Sequence, residues 1–92
     1  MRVTFEPAAR DELDRVFARI AKDNPRAAFE MVARSEAKVM RLETPELKNM
    51  GRPGLVEGTR ELLEYPYIIV YRVDEERDEI VVVSVVHGAQ DR

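Results

Sequence analysis

Cysteine and tryptophan are absent from this chain, and one histidine, His87, serves all 92 residues. Without cysteine there is no disulfide framework, no thiolate nucleophile and no cysteine-based zinc site. A single histidine excludes a histidine-rich metal centre, so neither a metal nor a cofactor is expected. No apolar run approaches the roughly 18 residues of a membrane-spanning helix. The opening residues, MRVTFEPAARDEL, contain no uninterrupted apolar core and so do not form a secretory signal. A reducing cytoplasm is the expected location. Catalytic signatures are missing as well: there is no GxGxxG before a helix, no P-loop, no HExxH and no GxSxG.

What is present is enough to fold. Hydrophobic residues make up 45% of the chain and charged residues 36%, with 15 Lys+Arg against 18 Asp+Glu. That balance excludes a disordered tail, and the length predicts one domain over residues 1–92. The net charge is −3, and all of the excess acid lies in the second half of the chain. Proteins that grip nucleic acid without sequence preference set cations against phosphates. An acidic chain with no basic block is unsuited to that work, so direct, tight nucleic-acid binding is not expected, nor is membrane binding.

Residues 1–5 alternate, with Val3 and Phe5 on one side, and read as a short strand that Glu6-Pro7 ends. From Ala8 to Ala21, the residues Ala9, Leu13, Val16, Phe17 and Ile20 recur at helical spacing as one apolar stripe. Asn24-Pro25 is a restart signal, a capping side chain followed by proline at the first helical position. Helical spacing then persists to about Leu42, before Thr44-Pro45. Two helices joined by so short a turn pack antiparallel. Residues 43–59 hold two prolines and three glycines without periodicity, and so irregular a stretch in a small domain is either functional or flexible. Strands follow at 60–65, 67–73 and 80–87. The predicted fold is α+β, ordered β-α-α-β-β-β, with a helical hairpin on one face of a mostly antiparallel sheet.

Alternation places Tyr67, Ile69, Tyr71 and Val73 on one face and Ile68, Val70 and Arg72 on the other. Extended without interruption along the last strand, it groups Ile80, Val82, Ser84 and Val86 against Val81, Val83, Val85 and His87. Both central strands are therefore apolar on both sides, while two helices of about four turns cover one face. At about 25 cal/mol per Å² of apolar surface, a wet second face forfeits several kcal/mol and invites aggregation. The 43–59 loop, a second copy or a different protein must cover it. This points to a binding protein.

For chemistry there remains a loose polar set, Glu57, Arg60, Glu61, Arg72, Ser84 and His87. Cleavage of RNA at a 2′-hydroxyl needs a base, an acid and cations for the developing charge. Arg60 and Arg72 are candidate cations, with His87 or Glu57 as proton carriers. Each has a plainer role beside the catalytic one: Arg60 anchoring the loop, Arg72 in an ion pair, His87 packing or capping a strand end. Gly51, Gly54 and Gly58 suit turns, since no helix follows them to make a phosphate cradle.

Taken together, Asn24-Pro25, GRPGLVEGTREL (residues 51–62), YIIVYRV (67–73) and VVHGAQ (85–90) resemble the RelE/ParE toxin superfamily, and its ParE branch above all. The likeness runs over nearly the whole chain. It implies the toxin of a type II toxin–antitoxin module, associated with plasmid stabilization and neutralised by a ParD-like antitoxin that folds as it binds. ParE-like members are associated with DNA gyrase inhibition without nuclease chemistry; RelE-like members are ribosome-dependent mRNA endonucleases. The RelE-type site implies a dense basic set with a C-terminal aromatic or histidine, whereas Lys48 is the only lysine after Lys38 and the tail GAQDR has no aromatic. Arg60, Arg72 and His87 match positions where nuclease relatives carry working residues, so an mRNA interferase is the alternative. A toxin-derived binding module without toxicity is the third. The expected antitoxin contact comprises Leu13, Phe17 and Phe29 on the hairpin and Ile68, Val70 and Arg72 on the uncovered sheet face, in a toxin–antitoxin hetero-oligomer.

Overall fold

A computed structural model describes residues 1–88. Strand β1 (Arg2–Phe5) leads into helix α1 (Pro7–Ala21) and helix α2 (Pro25–Met40). Two short 3-10 turns, Arg41–Glu43 and Pro45–Leu47, carry the chain to β2 (Arg52–Pro53), and then come β3 (Arg60–Glu64), β4 (Tyr67–Asp74) and β5 (Glu79–His87). The sheet has five strands in the order β1-β5-β4-β3-β2. β1 runs parallel to β5 and every other pair is antiparallel. The expected α+β fold is thus present, with one strand more than periodicity disclosed. Two residues are too few to show alternation.

Both helices begin as their sequences dictate. Pro7 and Pro25 occupy first-turn positions, where a missing N–H costs nothing, and the Asn24 carboxamide oxygen accepts from the Ala27 N–H at 3.0 Å. Ala9, Leu13 and Val16 of α1 and Met31 and Val39 of α2 pack onto Leu62, Tyr67, Ile69, Tyr71, Ile80, Val82 and Val85. Full burial of each large apolar side chain is worth about 1.5–3 kcal/mol. All of this core lies on one face of the sheet.

Alternation fails at one place, and the failure redistributes the faces. Val70 pairs with Ser84 but Tyr71 pairs with Val82, which leaves Val83 as the extra residue of a β-bulge. Beyond the bulge the pattern of β5 is reversed: Val85 and His87 join Ile69 and Tyr67 on the helix side, and Ser84 and Val86 join Val70 and Ile68 on the other. The uninterrupted grouping of Ile80, Val82, Ser84 and Val86 is therefore corrected to Ile80, Val82, Val85 and His87. Nothing in a run of valines signals where such a slip occurs.

The irregular stretch does not close the second face. It is tied to the helix side through Tyr71, which is completely buried. The Tyr71 hydroxyl donates to the Lys48 carbonyl at 2.8 Å and accepts from the Gly51 N–H at 3.1 Å. Arg60 donates through Nε to the Gly51 carbonyl at 2.9 Å, with its NH2 group on the same oxygen. Gly51 is confined: a Cβ there would stand 2.5 Å from the Glu61 carbonyl oxygen and 3.0 Å from the Tyr71 ring. At the other end of β3, Glu64 clamps α2, accepting from Arg34 at 3.1 Å with Lys38 at 3.2 Å. Burial alone raises the Glu64 carboxyl, but the hydrogen bonds and charges of Arg34 and Lys38 outweigh it and hold the group below its ordinary value.

Two predictions follow from these ties. Tyr71→Phe strands the buried Gly51 N–H and the partly buried Lys48 carbonyl and is expected to cost about 1–3 kcal/mol in urea unfolding, with Gly51→Ala at least as damaging. The lowered Glu64 carboxyl binds its proton more readily in the unfolded chain, so its contribution is complete above about pH 4.5, the unfolded value, and is lost as pH falls through the folded value. Glu64→Gln is expected to be less stable than the parent at pH 7, with a shallower loss of stability below pH 4.5, as followed by denaturant midpoints across that range.

Candidate functional site

The covered face of the sheet leaves its opposite face as the widest surface without a helix layer. Cross-strand register places Arg52, Glu61, Leu63, Ile68, Val70, Arg72, Val81, Ser84 and Val86 on that opposite side. Ile68 is nearly sealed at 3% exposure, with the backbone of Gly88 passing close to its side chain. Val70 is half-buried and Leu63 is open at 52%. Arg72 lies between Glu6 at 3.9 Å and Asp74 at 3.8 Å, both loose pairs in solvent. Pairs of that kind contribute little to stability, so Arg72 is available to a partner. Arg52 reaches Glu61 at 3.1 Å, which accounts for a carboxylate buried on this face.

The hairpin presents a second apolar feature. Phe17 and Phe29 meet edge to face with ring centres 5.0 Å apart, and Phe29 is 66% exposed. An aromatic pair of this geometry is worth about 0.5–1.5 kcal/mol beyond its burial. Leu13, expected beside these rings, is instead sealed in the core at 2% exposure. It faces the sheet because it falls on the same stripe as Ala9 and Val16, and it is withdrawn as a contact residue.

The three residues considered for catalysis do not come together. Arg60 pairs with Tyr71 and His87 with Tyr67, four residues apart along β4, or roughly 13 Å at about 3.3 Å per residue. Arg72 lies on the opposite face of the sheet. The base, the acid and the cations of such a reaction must all reach one phosphodiester, and the register sets Arg60 and His87 at opposite ends of one face with Arg72 on the other. Arg60 holds the Gly51 carbonyl, the anchoring role. His87 stacks edge-on against Tyr67 with ring centres 5.3 Å apart. Among the described residues no cluster of His, Cys, Asp and Glu suits a metal ion, and no helix is long and apolar enough to cross a membrane.

Sequence reasoning overlooked Leu63 and Tyr65, exposed by 52% and 82%. They border a shallow cleft of about 360 Å³ with Arg52, Pro66, Ile68 and Gly88. A signal for Leu63 was available: with period 2 from Arg60, Leu63 shares the uncovered face with Glu61. Tyr65 lies in the corner between strands, where alternation says nothing.

Comparison with known proteins agrees with this geometry. The family model described as the ParE toxin of the type II toxin–antitoxin system, parDE, matches residues 3–92. Y4kP of Sinorhizobium fredii (strain NBRC 101917 / NGR234), a protein with a provisional toxin name, is 37% identical over 91 residues, covering 97% of this chain and 90% of that protein. Among solved structures, the chromosomal ParDE toxin–antitoxin system from P. aeruginosa superposes with a TM-score of 0.81 at 26% identity, covering 95% of each chain. The RelBE2 toxin–antitoxin complex from Mycobacterium tuberculosis gives 0.63 at 27% identity over 94% of this chain and 95% of that one. The intact E. coli RelBE complex shares the fold, at 0.62 and 14% identity, over 92% of this chain and 97% of that one. This chain belongs to the ParE toxin family of type II toxin–antitoxin systems.

Proposed function

We propose that this toxin acts by binding DNA gyrase, without cutting nucleic acid, and that a ParD-like antitoxin neutralises it. The observation that carries the reading is the scatter of Arg60, Arg72 and His87 over two faces and two ends of the sheet. A second support is charge: the chain carries −3, which is poorly matched to a surface of RNA phosphates. The likeness to the P. aeruginosa ParDE system favours a ParD-type partner over a RelB-type one.

The antitoxin contact is assigned to the Phe17–Phe29 pair and to Val70 and Arg72, with Leu63 added beside them; Ile68, nearly sealed like Leu13, is left out. A chain that folds as it binds gains from wrapping separated apolar patches of this kind. Such a partner also supplies the layer that the second face of the sheet lacks.

Expression of the toxin without its antitoxin is expected to produce filamentous cells with damaged DNA while messages stay intact. Arrested translation with messages cut on the ribosome supports the interferase instead, and normal growth supports a binding module without toxicity. Phe29→Ala and Val70→Ala are each expected to weaken the antitoxin complex about tenfold in calorimetry while shifting the melting temperature of the free toxin by only a few degrees. Unchanged affinity in both variants removes these residues from the contact.

A further inference from the structure

A cleft of about 200 Å³ lies between α1 and the end of β5, walled by Glu12, Arg15, Arg19, Tyr67, Val85 and His87, and it meets the uncovered face only through Val86 and His87. Arg15 and Arg19 are one turn apart on one stripe of α1, and Lys22 follows at its C-cap. Most other arginines are committed. Arg2, Arg10, Arg26, Arg34, Arg52 and Arg72 each reach a carboxylate at 2.7–3.8 Å. Arg15 and Arg19 make no such pair among the described residues, although Asp11 lies one turn before Arg15.

The one carboxylate in the wall is already engaged. β1 pairs with β5 only as far as Val82, which leaves the edge of β5 open beyond it, and Glu12 Oε1 accepts from the Val85 N–H at 3.1 Å. Tyr67 supplies the independent observation. It is 94% buried, yet its hydroxyl makes no hydrogen bond among the described residues. Among the described residues no side-chain polar atom is sealed without a partner, so this hydroxyl is open, and Tyr67 lines the cleft. A phenol with a buried ring and a hydroxyl open to the cleft, lining the same wall as two uncommitted guanidinium groups, suits an anion.

We infer that this cleft receives one aspartate or glutamate side chain of the antitoxin; the inference rests on the reading of an antitoxin as the partner. The carboxylate accepts from the Tyr67 hydroxyl and from the guanidinium forks of Arg15 and Arg19, whose paired N–H groups match its two oxygens. Size and charge favour a carboxylate over a nucleic-acid backbone. The cavity holds one side chain, and the Glu12 carboxylate in its wall repels a polyanion.

The test uses the full toxin with a ParD-like antitoxin polypeptide as the probe. Arg15→Gln, Arg19→Gln and Tyr67→Phe are each expected to weaken the complex about tenfold, and the arginine variants are expected to lessen its sensitivity to salt. The arginines are exposed and Tyr67→Phe retains the ring, so the melting temperatures of the free variants should match the parent closely. Unchanged affinity in all three, with Phe29→Ala still weakening the complex, overturns the cleft and spares the partner reading. Failure of the polypeptide to bind the parent toxin overturns both. Binding of a short single-stranded RNA that the arginine variants abolish, with the polypeptide unaffected, overturns the assignment to a carboxylate.

Discussion

A hairpin of two helices, 15 and 16 residues long, covers one face of a five-stranded sheet and no more. That limit governs the rest of the molecule. On the covered side lie the fully buried Tyr71, Ile80 and Val82; on the other lie Leu63, Val70, Arg72 and Val86 in a surface that no helix overlies. The hydrophobic effect rewards whatever removes that surface from water, and a folding partner does so at the cost of its own ordering entropy. The bulge at Val83 decides which residues make up each face, because a one-residue slip exchanges every side chain beyond it.

The irregular stretch between the helices and β3 is held closely to the core, and the hold is polar. Tyr71 sends its hydroxyl from the middle of the apolar layer to the backbone of Lys48 and Gly51, and Arg60 takes the Gly51 carbonyl from the other side. Buried backbone groups that a strand would have satisfied are satisfied here by two side chains. The stretch thereby gains a fixed path without regular structure, and Arg60, which resembles a catalytic residue in sequence, is committed to holding it.

Much of this was legible in the chain. The helix starts at Pro7 and Pro25, the Asn24 cap, the hairpin and the three long strands follow from spacing and capping chemistry, because those signals are local. The grouping of Tyr67, Ile69 and Tyr71 on one face was legible for the same reason, while the choice of that face for the helices was not, since both faces of β4 are apolar. Three things were not. The two-residue strand at Arg52 is too short to carry a period. The bulge depends on how β5 sits against β4, which no stretch of β5 records. The burial of Leu13 against the exposure of Phe29 depends on which flank of each helix meets the sheet. Of the candidate site, Val70 and Arg72 kept their expected face, while Arg60 and His87 were resolved only by the cross-strand register that separates them.

The cleft at Tyr67 and the uncovered face are two kinds of surface, one polar and small, the other broader and more apolar. An antitoxin spanning both draws affinity from the apolar area and register from the charged point. Central to this account is that the protein harms a cell by occupying a target and performs no chemistry on nucleic acid. The most direct measurement is DNA supercoiling by purified gyrase with increasing amounts of purified toxin, run beside translating ribosomes given the same amounts. The account predicts loss of supercoiling with intact messenger RNA; unimpaired supercoiling with messenger RNA cut on the ribosome would contradict it.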